Sequence, residues 1–98
     1  MKGGWFVGHF DPTCLPLAEC EVAIKRYQAG DNEPAHVHRV STELTAVVQG
    51  RVEMNGVILT AGDIALLGPN EPATFKVLED AVTVVVKSPS IPADKYLV

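Results

Sequence analysis

The sequence predicts an all-β protein, a single-domain antiparallel β-barrel or jelly roll running over residues 1–98. Three observations lead there. Eight glycines and seven prolines are spread along the whole chain, and between them lie short apolar runs rich in Val, Ile, Thr and aromatic residues, the punctuation of strands and turns. No stretch of helical length carries a clean 3.6-residue apolar period bounded by caps, so little helix is expected. Many short strands joined by tight turns must hide their edges, and a closed barrel or a two-sheet arrangement does so.

In chain order, the first expected strand, 4–10, carries Trp5, Phe6 and Phe10, which suit core or interface positions. The second, 21–28, holds Lys25, Arg26 and Tyr27. Strand alternation lets either Arg26 or the Lys25 and Tyr27 pair face inward, not both sets. Pro34 precedes an extended segment at 35–38, and strands follow at 42–49 and 51–54. Asn55-Gly56 then joins 51–54 to 57–60 as a type I′ hairpin, because both central residues of that turn need positive φ. Thr60-Ala61-Gly62-Asp63 reads as another tight turn ahead of a strand at 63–67. Pro69-Asn70 suits the centre of a type I turn, with Pro72 closing the segment before 73–78. The last expected strand, 81–87, resembles 42–49 in being apolar on both faces. One face can line the barrel while the other needs a cover; a second copy is the economical one, so a homodimer is expected, although the chain's own termini could do the same job. The stretch 91–98 is apolar enough to dock on the barrel or on a neighbour.

Composition sets the outer bounds. Ninety-eight residues that are 47% hydrophobic make one domain able to bury a core without staples. Eight Lys and Arg against twelve Asp and Glu give a net charge of −4, and the basic residues never cluster, which argues against nucleic acid or an anionic membrane as partner. Cys14 and Cys20 form neither a disulfide framework nor a CxxC pair. No apolar stretch approaches transmembrane length, and the first residues lack the features of a signal peptide, so a cytoplasmic protein is expected.

The chemistry concentrates in His36-Val37-His38. In a strand, residues i and i+2 face the same way, about 6.6 Å apart along the chain, so both imidazoles can converge on one metal ion. Glu43 follows a four-residue connection at the start of the next strand, where its carboxylate can close a third corner. Two neutral imidazoles and one carboxylate form a facial triad that leaves coordination positions open for water, substrate or oxygen. A paired histidine is otherwise a hydrogen-bonded polar pocket or simple surface exposure.

The framing of these residues resembles the first of two motifs of the cupin family. From Gly30 to Gly50 the chain reads glycine, five residues, His36, one residue, His38, four residues, Glu43, six residues, Gly50, with every fixed position filled. The second motif is recognisable in Gly62-Asp63 through Pro72-Ala73-Thr74-Phe75, and the resemblance covers most of the chain. It implies a small β-barrel with His36, His38 and Glu43 as ligands of a mononuclear divalent metal (iron, manganese, zinc or nickel). It also exposes a departure: where typical cupins place the fourth ligand, a histidine, this chain has Ala73. Two readings follow. Either three protein groups still hold a metal and the vacancy opens a position for substrate, or the barrel is a metal-free pocket in which the histidines serve as polar contacts.

Among other polar residues, Arg26, Tyr27 and Thr45 are candidates for substrate contact. Thr45 and Gln49 share the face of Glu43 by alternation, Thr45 the nearer. His9, on the first strand, fits a packed or surface position. The resemblance implies oxygen insertion, sugar isomerisation or epimerisation, or carboxylate chemistry on a small-molecule ligand. A non-catalytic binding or sensor module is the alternative, since cupins host many functions.

Overall fold

The computed structural model describes residues 2–98. Eight strands follow a 3-10 turn at Lys2–Gly4: β1 (Trp5–Val7), β2 (Glu21–Tyr27), β3 (Asn32–Val37), β4 (Thr42–Met54), β5 (Val57–Thr60), β6 (Ile64–Leu67), β7 (Ala73–Ser88) and β8 (Tyr96–Leu97). No α-helix occurs among the described residues, and none is long and apolar enough to cross a membrane. All strand pairings are antiparallel.

Two long strands organise the barrel. β4 and β7 pair along nearly their whole length. The free edge of β7 takes β3 at its first residues and β2 at its last, while the free edge of β4 takes β6 and then β5. The pairs expected at 42–49 and 51–54, and at 73–78 and 81–87, are therefore single strands that pass from one sheet of the jelly roll to the other. The hairpin at Asn55-Gly56 has φ of 50° and 80°, the left-handed pair a type I′ turn requires.

A bulge makes the passage between sheets. Register shifts cluster between Val47 and Val52 of β4, and Gly50 lies there at φ 90°. A Cβ on Gly50 would sit 2.1 Å from the Asp80 carbonyl oxygen, so only glycine lets the two backbones approach this closely. The bulge also resets alternation: Glu43, Thr45 and Val47 face inward before it, Val52 and Met54 after it. Gln49 therefore does not share the inner face of Glu43 and is exposed.

The bulge end of the barrel is filled by an apolar cluster that includes Val47, Val52, Leu59, Val77 and Ala81, each at most 8% exposed. The opposite end is hollow and polar. Outside, register places two uncharged rows across four strands: Leu66, Leu44, Val86 and Val22, and beside them Ile64, Ala46, Val84 and Ile24. The C-terminal segment docks on the barrel as the edge strand β8, which pairs His36 with Leu97 and Val37 with Tyr96.

Candidate metal centre

His36 lies on β3, His38 just beyond its end, and Glu43 is the second residue of β4. The strand turns both imidazoles inward, each 5% exposed, and the connection through residues 39–41 returns the chain so that Glu43 meets them. One ligand atom from each of the three lies within 4.8 Å of those of the other two.

Each imidazole is fixed by its Nδ1 atom. His36 Nδ1 lies 3.1 Å from the Pro34 carbonyl oxygen, and His38 Nδ1 is hydrogen-bonded to the carbonyl of Asp94. A carbonyl only accepts, so in the neutral rings Nδ1 carries the proton and Nε2 the lone pair. His38 Nε2 is buried with no hydrogen-bond partner among the described residues and stands 3.5 Å from Glu43 Oε1. An orphaned, buried lone pair beside a second imidazole and a carboxylate is a donor set that fits a divalent transition metal. Without metal, a proton takes that place: the contact with Glu43 raises the His38 pKa above its ordinary value, against the opposing effect of burial. Burial alone would push Glu43 up, but His38, with the nearby Lys87, outweighs it and holds Glu43 below the usual carboxylate range.

The cavity around this group measures about 100 Å³ and opens beside a second hollow of about 450 Å³, the two sharing Trp5, Lys87 and Lys95. Ala73 is 2% exposed, lines the cavity, and is the register partner of His36 across β3 and β7. A methyl group thus occupies the strand position facing one histidine of the triad.

Solved structures of the same architecture are numerous. An uncharacterized protein with a double-stranded β-helix domain from Klebsiella pneumoniae superposes with a TM-score of 0.71 at 26% identity, over 82% of this chain and 75% of that one. An RmlC-like cupin from Shewanella frigidimarina gives 0.71 at 24% identity, over 76% and 70% of the two chains. The chain has the cupin fold. A chain from the structures of the DMSP lyases RdDddP and RnDddQII is similar over 96% of this chain but only 51% of its own length, with a TM-score of 0.77 at 21% identity. No protein-family model and no curated protein sequence matches this chain.

The structure decides the alternation of β2. Lys25 and Tyr27 line the cavity, whereas Arg26 is exposed and pairs with Val82 on the outer face, beside the apolar rows. Arg26 is thereby excluded as a contact inside the barrel, because the inward parity of β2 is set by buried Glu21 and Ala23. Thr45 lines the cavity at 4% exposure. The Tyr27 hydroxyl donates to Glu33 Oε1 over 3.4 Å, and its ring packs on Phe75 with centroids 4.9 Å apart. Burial first, and then Glu33, raises the Tyr27 pKa, so the phenol keeps its proton. Trp5, which suits a core or interface position by sequence, is instead a wall of the cavity.

Asp94 is the residue that sequence reasoning missed. It is 4% exposed, and its carboxylate accepts from the backbone N–H groups of Arg39, Val40 and Ser41 at 2.9, 3.1 and 2.9 Å. These bonds outweigh the upward push of burial and hold its carboxyl below the usual range. Its own carbonyl orients His38. One C-terminal residue thus fixes both an imidazole and the loop that carries the chain on to Glu43.

Proposed function

We propose that this protein holds one divalent transition metal on His36, His38 and Glu43 and acts on a small molecule bound in the adjoining cavity. The observation that carries the reading is the orientation of the two imidazoles: both Nδ1 atoms face backbone carbonyls, which leaves the Nε2 lone pairs as the ligand atoms, that of His38 3.5 Å from Glu43 Oε1. In a simple polar pocket each buried nitrogen would have a close hydrogen-bond partner, and the nearest to His38 Nε2 is the Glu43 carboxylate at 3.5 Å.

When bound, the metal supplies a Lewis-acid centre whose remaining positions are open to substrate. The chain's own groups do the rest. Tyr27 keeps its hydroxyl proton and donates it to Glu33, so its Oη is placed to accept a hydrogen bond from a ligand in the cavity. Thr45 offers a hydroxyl beside Glu43. Phe75 and Val85 line the hollow with apolar surface, which keeps the local dielectric low around these polar groups. With a metal held on the triad, this arrangement would suit polarisation of a small polar substrate, as in a lyase or an isomerase, more than simple storage of a ligand.

We further infer that the outer apolar rows are covered by a second copy of the chain. Ile24, Ile64 and Leu66 are 44, 62 and 66% exposed, and none of the eight side chains in the two rows is charged, so the patch matches its own image about a twofold axis. Sedimentation should show a dimer, and Leu66→Lys should yield monomer. A cytoplasmic location accords with the two free thiols.

Cobalt(II) titration tests the metal assignment. One equivalent should bind with visible absorption bands, Glu43→Gln should weaken binding by about tenfold to a hundredfold, and Ala73→His should tighten it by adding a ligand opposite His36. A wild-type protein that takes up no cobalt, with unchanged behaviour in Ala73→His, would contradict it.

A further inference from the structure

Three lysines, Lys25, Lys87 and Lys95, line the cavity that holds the triad. Only one of them is neutralised. Lys87 Nζ sits 2.8 Å from Glu21 Oε1, both side chains being largely buried. Lys25 and Lys95 have no carboxylate within ion-pair distance among the described residues. Lys25 is half-buried and rests against Trp5, its Nζ 5.3 Å from the ring centroid, with Lys87 Nζ 4.8 Å from the same ring. Such placement is costly without a partner: burial, together with Lys95 and Lys87, lowers the Lys25 pKa against the pull of Glu33.

A second group points to the same spot. Thr83 is fully buried, lines the cavity, and its Oγ1 has no hydrogen-bond partner among the described residues. Thr83 is the register partner of Lys25 across β2 and β7, so the two unpartnered groups are carried on directly opposed residues of the inner face of one sheet. Both are hydrogen-bond donors. The charges agree: Lys25, Lys87 and Lys95 are balanced by Glu21, Glu33 and Glu43, so a divalent metal on the triad leaves an excess of positive charge for a ligand to cancel.

We propose that Lys25 and Thr83, with Lys95 at the mouth, form an anion-binding end of the cavity, and that the substrate is a small organic carboxylate held there while its other polar end meets the triad. The inference rests on the reading of the cavity as the ligand site. A planar carboxylate presents two oxygens, one for the ammonium and one for the hydroxyl, and a ligand of a few carbons suits a hollow of about 100 Å³.

Trp5 is the only tryptophan and lies against Lys25, so its fluorescence reports occupancy directly. Malonate titrated into the full-length protein, with its metal content measured in parallel, should give a saturable change in both the zinc-loaded and the metal-free form, tighter in the former. Malonamide, its neutral counterpart, should give none. Lys25→Met should weaken malonate about tenfold or more, Lys25→Arg should restore most of it, and Lys95→Met, at an exposed position, should give a smaller loss. Lys76→Met, on the outer face of β7, should change nothing. Equal binding of malonate and malonamide, no loss in either Lys25→Met or Lys95→Met, or inorganic phosphate binding as tightly as malonate would overturn the proposal. Failure of zinc uptake with malonate binding intact would overturn the metal assignment and leave the anion site standing.

Discussion

The two ends of this barrel are built from the same two strands yet follow opposite rules. At the bulge end, β4 and β7 contribute Val47, Val52, Val77 and Ala81 to a dry apolar cluster. At the open end the same strands contribute Glu43, Thr45, Thr83 and Lys87 to a polar hollow. The difference lies in where polar side chains find partners. The packed cluster has none to satisfy, whereas the open end keeps His38 Nε2, and its boundary with the packed end keeps Thr83 Oγ1 opposite Val47, buried and without a hydrogen-bond partner among the described residues, a standing cost that a metal and a ligand would relieve. Stability is concentrated at one end and binding at the other.

Substitutions at the two ends should separate these properties. The largest effect on stability belongs to the packed end: Leu59→Ala, at a site 8% exposed, should cost about 2–5 kcal/mol in chemical denaturation and leave metal stoichiometry unchanged. Asp94→Asn lies between the regimes. It keeps the carbonyl that orients His38 but weakens the acceptor for three backbone N–H groups. It should cost about 1.5–3 kcal/mol and also lower metal affinity, by about tenfold to a hundredfold. At the open end, Glu43→Gln should change the denaturation midpoint of the metal-free protein little, about 1 kcal/mol or less, because an amide can donate to His38 Nε2 where the carboxylate shared its proton. An equal loss of stability from Leu59→Ala and Glu43→Gln would break the distinction between the ends.

The pH dependence sharpens the same comparison with a smaller effect. In the metal-free protein the raised His38 pKa contributes stability fully present below about 6.5, the ordinary histidine value, and lost as pH rises through the folded-state value. The lowered Glu43 pKa contributes stability present above the ordinary carboxylate value and lost as pH falls through the folded-state one. The pair is thus most stabilising in mildly acidic solution. Metal binding runs the other way, since the ion must displace the shared proton. Thermal midpoints of metal-free protein should therefore decline modestly from mildly acidic pH to pH 8, while metal affinity rises over the same interval with release of up to one proton per ion. In Leu59→Ala both trends should persist.

Much of this was legible in the sequence because it is local. Asn55-Gly56 states its own turn, and His36, His38 and Glu43 fall within eight residues, close enough for strand periodicity to bring them together. What was not legible depends on long-range register. The Gly50 bulge, set by the backbone of Asp80 across the sheet, flips the inner face of β4 and turns Gln49 outward. The parity of β2, ambiguous between Arg26 and Lys25 with Tyr27, is fixed only by burial of Glu21 and Ala23. Asp94 reaches residues 39–41 across more than fifty positions, and no local pattern marks a buried aspartate whose partners are backbone amides. Lys25 and Thr83 likewise become a pair only through strand pairing.

The most direct test of the central claim is the metal content of untagged protein purified without added metal, measured by elemental analysis before and after reconstitution. About one equivalent of a divalent transition metal should be present after reconstitution, and it should be lost in a His36→Ala, His38→Ala double variant that still folds. Less than about a tenth of an equivalent before and after reconstitution would contradict the claim, given the tight binding expected of such a site.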